Sequence, residues 1–294
     1  MSSSKPSLVL SMLTDLDPRP GDRVLEVGAG TGWNAGLFAH RLGARNVTTI
    51  DIDPSVVRTA RAALHSLSLP VEVLCGDGYA GVPARAPYDR IVATCGLRQV
   101  PFAWVEQTRP GGIILLPWGT DFSSTEGTAR LAVSDDGASA SGPFTGLVEF
   151  MRMRAQRLEP DTHDAYVTED SKQDAVASTT SLAPEVFADY SPAAFAIGLR
   201  VHAMTYRRGP KEDGAHPLWL LSLTDRSWAC AIFRGNQDSH TVYQSGQRRL
   251  WDEVEAAHTW WAEQGRPGCT RFGLRVDADG QQAWLDDPGN HVRQ

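Results

Sequence analysis

The feature that most restricts the fold is a glycine-rich turn between a short apolar run and a helical pattern. The run Val24 to Val27 leads into Gly28-Ala29-Gly30-Thr31-Gly32, and the helical pattern from Trp33 to Leu42 stops at Gly43. Glycine is needed where a backbone takes positive φ or approaches a ligand closely. The amides that open the helix then face whatever lies over the turn. The sequence therefore predicts a strand, a ligand-binding turn and a helix.

The spacing of these glycines argues against a dinucleotide cofactor. The sequence has G-x-G-x-G, whereas the dinucleotide fingerprint is G-x-G-x-x-G, and Trp33 stands where that fingerprint has its third glycine. A large side chain there opposes close packing on a pyrophosphate, which disfavours NAD. Glycine turns after strands are common, and Glu26, two residues before the first glycine, strengthens the case for a ligand.

Strand and helix patterns alternate from residue 24 onward, which predicts an α/β fold. Because such alternation produces a parallel sheet, we expect helices on both of its faces. Asp53 and Pro54 supply the N-cap and first position of one helix. The predicted strands are 24–27, 47–50, 71–74, 91–94 and 113–116, and the predicted helices cover 6–16, 33–42, 54–69 and 102–107.

Acidic residues follow the second and third predicted strands. Asp51 ends the second strand, and Asp77 lies in Gly76-Asp77-Gly78 after the third. In open α/β sheets, ligands bind outside the carboxyl ends of the strands at the switch point. A carboxylate after strand two can accept hydrogen bonds from both ribose hydroxyls, and the group after strand three can reach an adenine amino group. The alternative is that both are ordinary turn residues.

Composition excludes several classes of protein. The net charge of −7 disfavours a nucleic-acid binder. The four cysteines are far apart, which favours free thiols in a reducing cytosol over disulfides or a zinc site. No apolar run approaches the ~18 residues of a membrane span, and no cleavage site follows the apolar stretch from Leu8 to Leu13. We therefore expect a cytoplasmic protein that binds no metal, nucleic acid or membrane.

The pattern changes after Gly119. Strands are predicted at 129–133, 147–153, 218–223 and 228–234, a helix at 250–264, and a hairpin from 271–276 and 281–285. Residues 158–182 are rich in Asp, Ser and Thr and predict a linker or mobile loop. The predicted organisation is thus a domain of residues 1–157, a linker of residues 158–182, and a smaller α+β region of residues 183–294.

Several blocks of sequence resemble one family of enzymes. The blocks are Gly76-Asp77-Gly78-x-x-Gly81, Ala86-Pro87-Tyr88-Asp89-Arg90-Ile91, Val100-Pro101 with Gln107, Pro110-Gly111-Gly112 and Pro117-Trp118-Gly119. Together with the glycine turn, these blocks resemble the S-adenosylmethionine-dependent methyltransferases. Their order and spacing resemble more specifically those of the protein-L-isoaspartate O-methyltransferases. The resemblance covers roughly residues 2–155. It implies a Rossmann-like methyltransferase sheet.

The resemblance also implies a site. Ser2-Ser3-Ser4-Lys5-Pro6 matches the family's Thr/Ser-x-Ser-x-Pro segment, which a helical arm precedes in that family. Ser4 matches the serine that contacts the substrate carboxyl region, so Ser3 and Ser4 are the expected catalytic residues. The alternative is that Ser4 only caps the helix that follows it. S-adenosylmethionine is the expected cofactor. The residues expected to bind it are Glu26, Gly28, Ala29, Gly30, Gly32, Asp51, Ile52, Gly76, Asp77, Gly78 and Thr94.

The substrate implied is a peptide or protein with an aspartate or isoaspartate carboxylate. The segments Val148 to Arg152 and Trp260 to Leu274 resemble an actinobacterial branch that methylates an aspartate in lanthipeptides, lasso peptides or graspetides, where the ester closes to an aspartimide. Repair of isoaspartyl residues in damaged proteins is the first alternative. A non-catalytic peptide-binding protein on the same fold is the second. The sequence leaves the oligomeric state open.

The chemistry implied needs no general base. A carboxylate has an unperturbed pKa near ~4, so it is already ionised at neutral pH. The protein has to position the carboxylate in line with the methyl group and to exclude water. The sequence shows no convincing Ser-His-Asp set, metal cluster or carboxylate pair.

Overall fold

The computed structural model describes residues 5–158, 161–235 and 237–292, which form two compact units. The first unit comprises the described residues up to Trp118 together with Gly127–Gln156 and Thr270–His291. The second comprises Gly119–Glu126, Arg157–Cys269 and the residues from Val292.

The described residues form strands and helices that are numbered in chain order. The strands are β1 (Val24–Val27), β2 (Val47–Asp51), β3 (Glu72–Cys75), β4 (Tyr88–Ala93), β5 (Thr108–Trp118), β6 (Glu126–Val133), β7 (Ser139–Val148), β8 (Val176–Thr180), β9 (Met204–Arg208), β10 (Ala215–Ser222), β11 (Trp228–Arg234), β12 (His240–Ser245), β13 (Phe272–Asp277) and β14 (Gly280–Leu285). The helices are α1 (Pro6–Leu16), α2 (Trp33–Leu42), α3 (Pro54–Ser66), α4 (Phe102–Glu106), α5 (His163–Tyr166), α6 (Glu169–Gln173), α7 (Pro192–Arg200) and α8 (Leu250–Glu263).

The first unit is built on a nine-stranded sheet in the order β14-β13-β7-β6-β5-β4-β1-β2-β3. The strands from β5 to β3 run parallel to one another, and β5 pairs with β6 in the antiparallel sense. β1 lies between β2 and β4, with Leu25 opposite Thr48 on one side and Ile91 on the other. All four residues of β1 are buried, so both faces of the sheet are covered at its centre.

The second unit is built on an antiparallel sheet in the order β8-β12-β11-β10-β9. The side chains of α7 and α8 pack on one face, where Phe187, Phe233 and Trp251 form part of the core. On the opposite face, Tyr166 and Val167 pack with Trp228 and Cys230. Among the described residues, no helix has the length and apolar character needed to cross a bilayer.

The ranges observed for β1, α2 and β11 are those predicted from the sequence. The strand predicted at residues 147–153 is wrong in extent, because β7 ends at Val148 and the chain beyond it forms an isolated bridge between Gly96 and Arg152. The residues after Val148 therefore contact the loop that contains Gly96 instead of continuing as a regular strand.

The division of the chain also differs from the predicted ranges. The predicted linker at 158–182 contains α5, α6 and β8, and β8 pairs with β12 as part of the second sheet. The hairpin of β13 and β14 was expected in the C-terminal region, but β13 pairs with β7 and extends the first sheet. Which strand a distant segment pairs with depends on the free edges of the assembled sheet. The local sequence pattern does not identify that partner.

Candidate cofactor site at the carboxyl edge of the sheet

The glycine turn after β1 has the backbone that its sequence requires. Gly28, Gly30 and Gly32 have φ values of 102°, 50° and 79°, in the left-handed region that favours glycine. The Gly28 amide continues the ladder by donating to the Ile50 carbonyl at 2.9 Å. A Cβ on Gly32 would lie 3.3 Å from the backbone of Ala60, so this glycine lets the start of α2 approach α3.

Glu26 lies beneath the turn and is fully buried. Its two carboxyl oxygens accept hydrogen bonds from Thr49 Oγ1 at 2.7 Å and from Asn34 Nδ2 at 2.8 Å. Burial raises the pKa of Glu26, the hydrogen bonds from Thr49 and Asn34 lower it, and the nearby Asp51 charge raises it slightly, so that the resulting pKa is about 7. Glu26 therefore joins β1, β2 and the first turn of α2 beneath the glycine turn.

Asp51 ends β2 and is partly exposed beside the turn. Its carboxylate accepts from the Asp53 amide at 3.0 Å and, at the longer distance of 3.4 Å, from the Gly30 amide. Ile52, the next residue, is 44% exposed. A carboxylate has about four lone-pair positions, so Asp51 retains capacity for a ligand's hydroxyl groups.

The loop after β3 is held in place from below. The Asp77 carboxylate is exposed and accepts from the Tyr79 amide at 2.9 Å, which caps a short 3-10 turn. The indole of the buried Trp104 donates to the Gly78 carbonyl at 3.0 Å. Gln107 accepts from the Val82 amide and donates to the Ala80 carbonyl, both at 2.8 Å.

Thr94 follows β4 and faces the glycine turn. Its hydroxyl donates to the Gly28 carbonyl at 2.7 Å, and its amide donates to Val27. A Cβ on Gly28 would lie 2.6 Å from Thr94 Oγ1, so only glycine leaves room for this contact. The observed role of Thr94 is thus to fix the backbone of the turn.

Residues 150–156, here called the crossing segment, lie along the same edge of the sheet. The amides of Gly96 and Met153 donate to Met151 and Gly96, each at 2.9 Å. The Gln156 side chain accepts from the Arg98 amide at 2.6 Å and donates to the Gln99 carbonyl at 2.8 Å. Arg154 forms an ion pair with Asp53 at 2.7 Å.

The structure brings the predicted cofactor-binding residues to one edge of one sheet, on the loops after β1, β2, β3 and β4. Ala29 and Glu26 are buried there, whereas Ile52 and Asp77 are exposed. Ser3 and Ser4 lie outside the described residues. Sequence reasoning missed Asn34, Thr49 and Trp104, and it noted Gln107 and part of the crossing segment for their resemblance without assigning them a place at the site.

A group of three or more His, Cys, Asp or Glu side chains able to hold a metal ion is not found in residues 5–158, 161–235 and 237–292. The polar groups at the edge are instead carboxylates and backbone amides. Carboxylates accept hydrogen bonds from hydroxyl and amino groups. A nucleoside-containing ligand fits this set of groups.

A family model described as Protein-L-isoaspartate(D-aspartate) O-methyltransferase (PCMT) matches residues 1–141. Proteins named protein-L-isoaspartate O-methyltransferase are similar to part of this chain. Those of Pyrococcus horikoshii and Methanopyrus kandleri are 41% and 43% identical to it over 118 and 119 residues. The similarity to the protein-L-isoaspartate O-methyltransferase family thus covers residues 1–141, slightly less than half of the chain.

The similarity has a defined extent. Each of these two alignments covers 40% of this chain and 53% of the relative, so the chain spans about half the length of the curated relatives it matches. A solved protein-L-isoaspartate O-methyltransferase structure aligns with 98% of this chain and 83% of its own, at a TM-score of 0.56 and 21% identity. That similarity confirms the predicted Rossmann-like methyltransferase fold.

Proposed function

We propose that this chain is an S-adenosylmethionine-dependent carboxyl O-methyltransferase that acts on an aspartate or isoaspartate side chain of a peptide or protein. The observation that carries the proposal is the meeting of three loops at one sheet edge. These loops are the glycine turn, the loop with Asp51 and the loop with Asp77. The family similarity of residues 1–141 supports the same activity.

The residues at this edge fit the cofactor. Asp51 would accept from the ribose hydroxyls, Asp77 would lie on the adenine side, and the glycine turn would face the amino-acid part of the cofactor. Ile52, exposed beside Asp51, offers an apolar surface to a flat ring. When bound, S-adenosylmethionine supplies an electrophilic methyl group to a carboxylate.

The remaining work of the protein is positioning. The substrate carboxylate is ionised at neutral pH, so no side chain has to remove a proton from it. Glu26 is buried and already bonded to Thr49 and Asn34, so it supports the turn rather than acting as a base. Ser4, which matches the family serine at the substrate carboxyl region, and the neighbouring Ser3 are proposed to orient the carboxylate.

The finer proposal is that the substrate is one aspartate of a constrained ribosomal peptide, whose ester then closes to an aspartimide. Its support is the second unit, which the methyl transfer itself does not require. Binding energy from contacts remote from the reaction is what positions a reacting group. The second unit would then select the peptide, and a preformed ring would lower the cost of ordering it.

Repair of isoaspartyl residues is the second candidate, and one observation favours it. The solved protein-L-isoaspartate O-methyltransferase aligns with 98% of this chain, so a comparable second unit occurs in a protein of that name. The presence of the second unit therefore does not by itself separate tailoring from repair.

The first experiment measures binding of S-adenosylmethionine and NADH by calorimetry. We expect S-adenosylmethionine to bind with a stoichiometry of one per chain and NADH not to bind. Tight binding of NADH without binding of S-adenosylmethionine would overturn the proposal.

The second experiment compares turnover on two substrates by mass spectrometry. One is a generic isoaspartyl peptide, and the other is the modified precursor peptide encoded beside this gene. The matched control for each carries asparagine at the reactive position. Addition of one methyl group to the precursor, followed by loss of methanol that leaves the peptide one water lighter than at the start, supports tailoring. Efficient methylation of the generic peptide without preference for the precursor supports repair. Binding of both peptides without any methylation would favour the non-catalytic alternative.

A further inference from the structure

The crossing segment, residues 150–156, is fastened to two loops at the carboxyl edge of the first sheet. One is the loop after β4, which contains Gly96 to Gln99, and the other is the loop after β2, which contains Asp53. β1, which carries the glycine turn, lies between β2 and β4 in the sheet. Adjacent strands are ~4.8 Å apart, so the segment and the Arg154 side chain together span ~10 Å across the end of β1.

The attachment to the loop after β4 uses backbone and side-chain groups. Gly96 exchanges two hydrogen bonds with Met151 and Met153. The side-chain carbonyl oxygen of Gln156 accepts from two successive amides, those of Arg98 at 2.6 Å and Gln99 at 3.0 Å. This end of the segment is thus held by both backbone and side-chain hydrogen bonds.

The attachment to the loop after β2 is an ion pair. Arg154 Nη2 donates to Asp53 Oδ2 at 2.7 Å. The other oxygen, Asp53 Oδ1, accepts from the amide and the hydroxyl of Ser55 at 2.9 and 2.6 Å, which caps α3. Both oxygens of Asp53 are therefore engaged, one by α3 and the other by the crossing segment.

Asp53 in turn orients Asp51. The Asp53 amide donates to Asp51 Oδ1 at 3.0 Å, and Ile52 lies between the two residues. A chain of direct contacts thus runs from Arg154 to Asp53 and on to Asp51, the carboxylate proposed to hold the ribose.

We infer that Arg154 is a positioning residue for the cofactor. It holds Asp53 so that Asp51 and Ile52 present a preformed surface to S-adenosylmethionine. This inference rests on the proposed function. Preforming a binding loop increases affinity because less ordering remains to be done when the ligand arrives.

The test measures the affinity for S-adenosylhomocysteine by calorimetry, using the full chain and its variants Arg154→Gln, Arg154→Lys, Asp53→Asn and the Arg154→Gln/Asp53→Asn double variant. Asparagine is a good N-cap, so Asp53→Asn removes the charge and keeps the cap on α3. The matched control is Arg85→Gln. Arg85 pairs with Glu72 at 2.6 Å, with side-chain exposures of 55% and 33% against 53% and 27% for Arg154 and Asp53, but Glu72 begins β3 at the opposite edge.

We expect Arg154→Gln and Asp53→Asn each to weaken binding by about threefold to fivefold, the upper part of the range for exposed ion pairs. The double variant should be no weaker than either single variant, Arg154→Lys should lie closer to the parent chain, and Arg85→Gln should bind as the parent does. Melting temperatures of Arg154→Gln and Arg85→Gln should fall by similar small amounts, since both lose one surface ion pair.

Three results would overturn the inference. They are unchanged affinity in Arg154→Gln, an equal loss of affinity in Arg85→Gln, and effects of Arg154→Gln and Asp53→Asn that simply add. Failure of the parent chain to bind S-adenosylhomocysteine would be a different result, because it overturns the proposed function on which the inference rests.

Discussion

The two sheets differ in what their polar side chains hold. In the first sheet, Asp51 is partly exposed at the end of β2, Asp77 is exposed after β3, and the buried Glu26 bonds to Thr49 and Asn34 beneath the glycine turn. In the second sheet, the buried Gln244 accepts from the Trp251 amide and donates to Asp252, both at 2.7 Å. The Gln244 side chain thereby completes the start of α8, and both ends of its amide are engaged within the protein.

Strand direction accounts for the difference. Parallel strands end at the same edge, so the polar residues that follow them collect there. Antiparallel strands end alternately at opposite edges, and their end residues are dispersed. The first unit can therefore assemble a binding site from consecutive loops, whereas the described polar residues of the second sheet serve mainly to connect strands and helices.

The largest expected effect concerns Glu26, whose pKa is raised from its ordinary value of 4.5 to about 7. Between these values the folded chain holds a proton that the unfolded chain has released, so folding stability falls as pH rises through this range. The full shift corresponds to about 3 kcal/mol. Because Glu26→Gln removes the titration, we expect it to gain about that much stability relative to the parent chain between pH ~4 and pH ~8.

Denaturant unfolding of both chains across this pH range checks the prediction. The amide introduced by Glu26→Gln would turn its NH₂ group toward one of the two donors that Glu26 accepts from, which costs stability at every pH. Only the pH-dependent part of the difference therefore reports the titration. A difference that stays constant with pH would mean that Glu26 has the same pKa in the folded chain as in the unfolded chain.

Asp51 provides the next largest effect, this time on ligand affinity. Replacement by alanine removes an acceptor for the ligand, and hydrogen bonds to charged groups contribute about 1.5–3 kcal/mol. We expect Asp51→Ala to weaken binding of S-adenosylhomocysteine by about tenfold to 150-fold. Asp51→Asn keeps one acceptor oxygen and should weaken it less. Equal affinity in all three chains, measured by calorimetry, would contradict the assignment of this edge as the cofactor site.

Replacing Gln244 tests the role of a polar side chain in the second sheet. Gln244→Ala leaves the Trp251 amide buried without its acceptor, and an unsatisfied buried donor costs about 1–3 kcal/mol. We expect a loss of about 2 kcal/mol in the free energy of unfolding of the second unit. Affinity for S-adenosylhomocysteine should stay unchanged. A change in affinity as large as that of Asp51→Ala would show that the two sheets do not divide these roles.

Local sequence predicted the parallel half of the first sheet well. Val24–Val27 and Trp33–Leu42 have the predicted bounds, and the Asp53 side chain caps α3 as its position before Pro54 suggests. These features depend on neighbours in sequence, such as glycines with positive φ and an N-cap before proline. The placement of Asp51 and Asp77 at one edge follows from strand direction alone.

Contacts between distant segments could not be predicted in the same way. The bond from Asn34 to Glu26 spans 8 residues, whereas the ion pair from Arg154 to Asp53 spans 101. Arg154 follows a stretch predicted as a strand, and nothing in its local sequence identifies Asp53 as its partner. Likewise, β13 could have paired with any free strand edge, and its pairing with β7 depends on the assembled sheet.

Replacing Thr94 has the smallest expected effect. It tests whether polar groups at the carboxyl edge of the first sheet also stabilise the fold. Its hydroxyl donates to the Gly28 carbonyl at 2.7 Å, and valine has nearly the same shape without that donor. A typical hydrogen bond contributes about 1 kcal/mol net, so we expect Thr94→Val to lose about that much stability and Thr94→Ser to lose less. If the bond also fixes the glycine turn for the cofactor, Thr94→Val should weaken S-adenosylhomocysteine binding by a few fold, and Thr94→Ser should restore the affinity. Unchanged stability in Thr94→Val, measured by denaturant unfolding, would contradict the structural role, and a loss of affinity under that condition would assign the hydroxyl to the ligand instead.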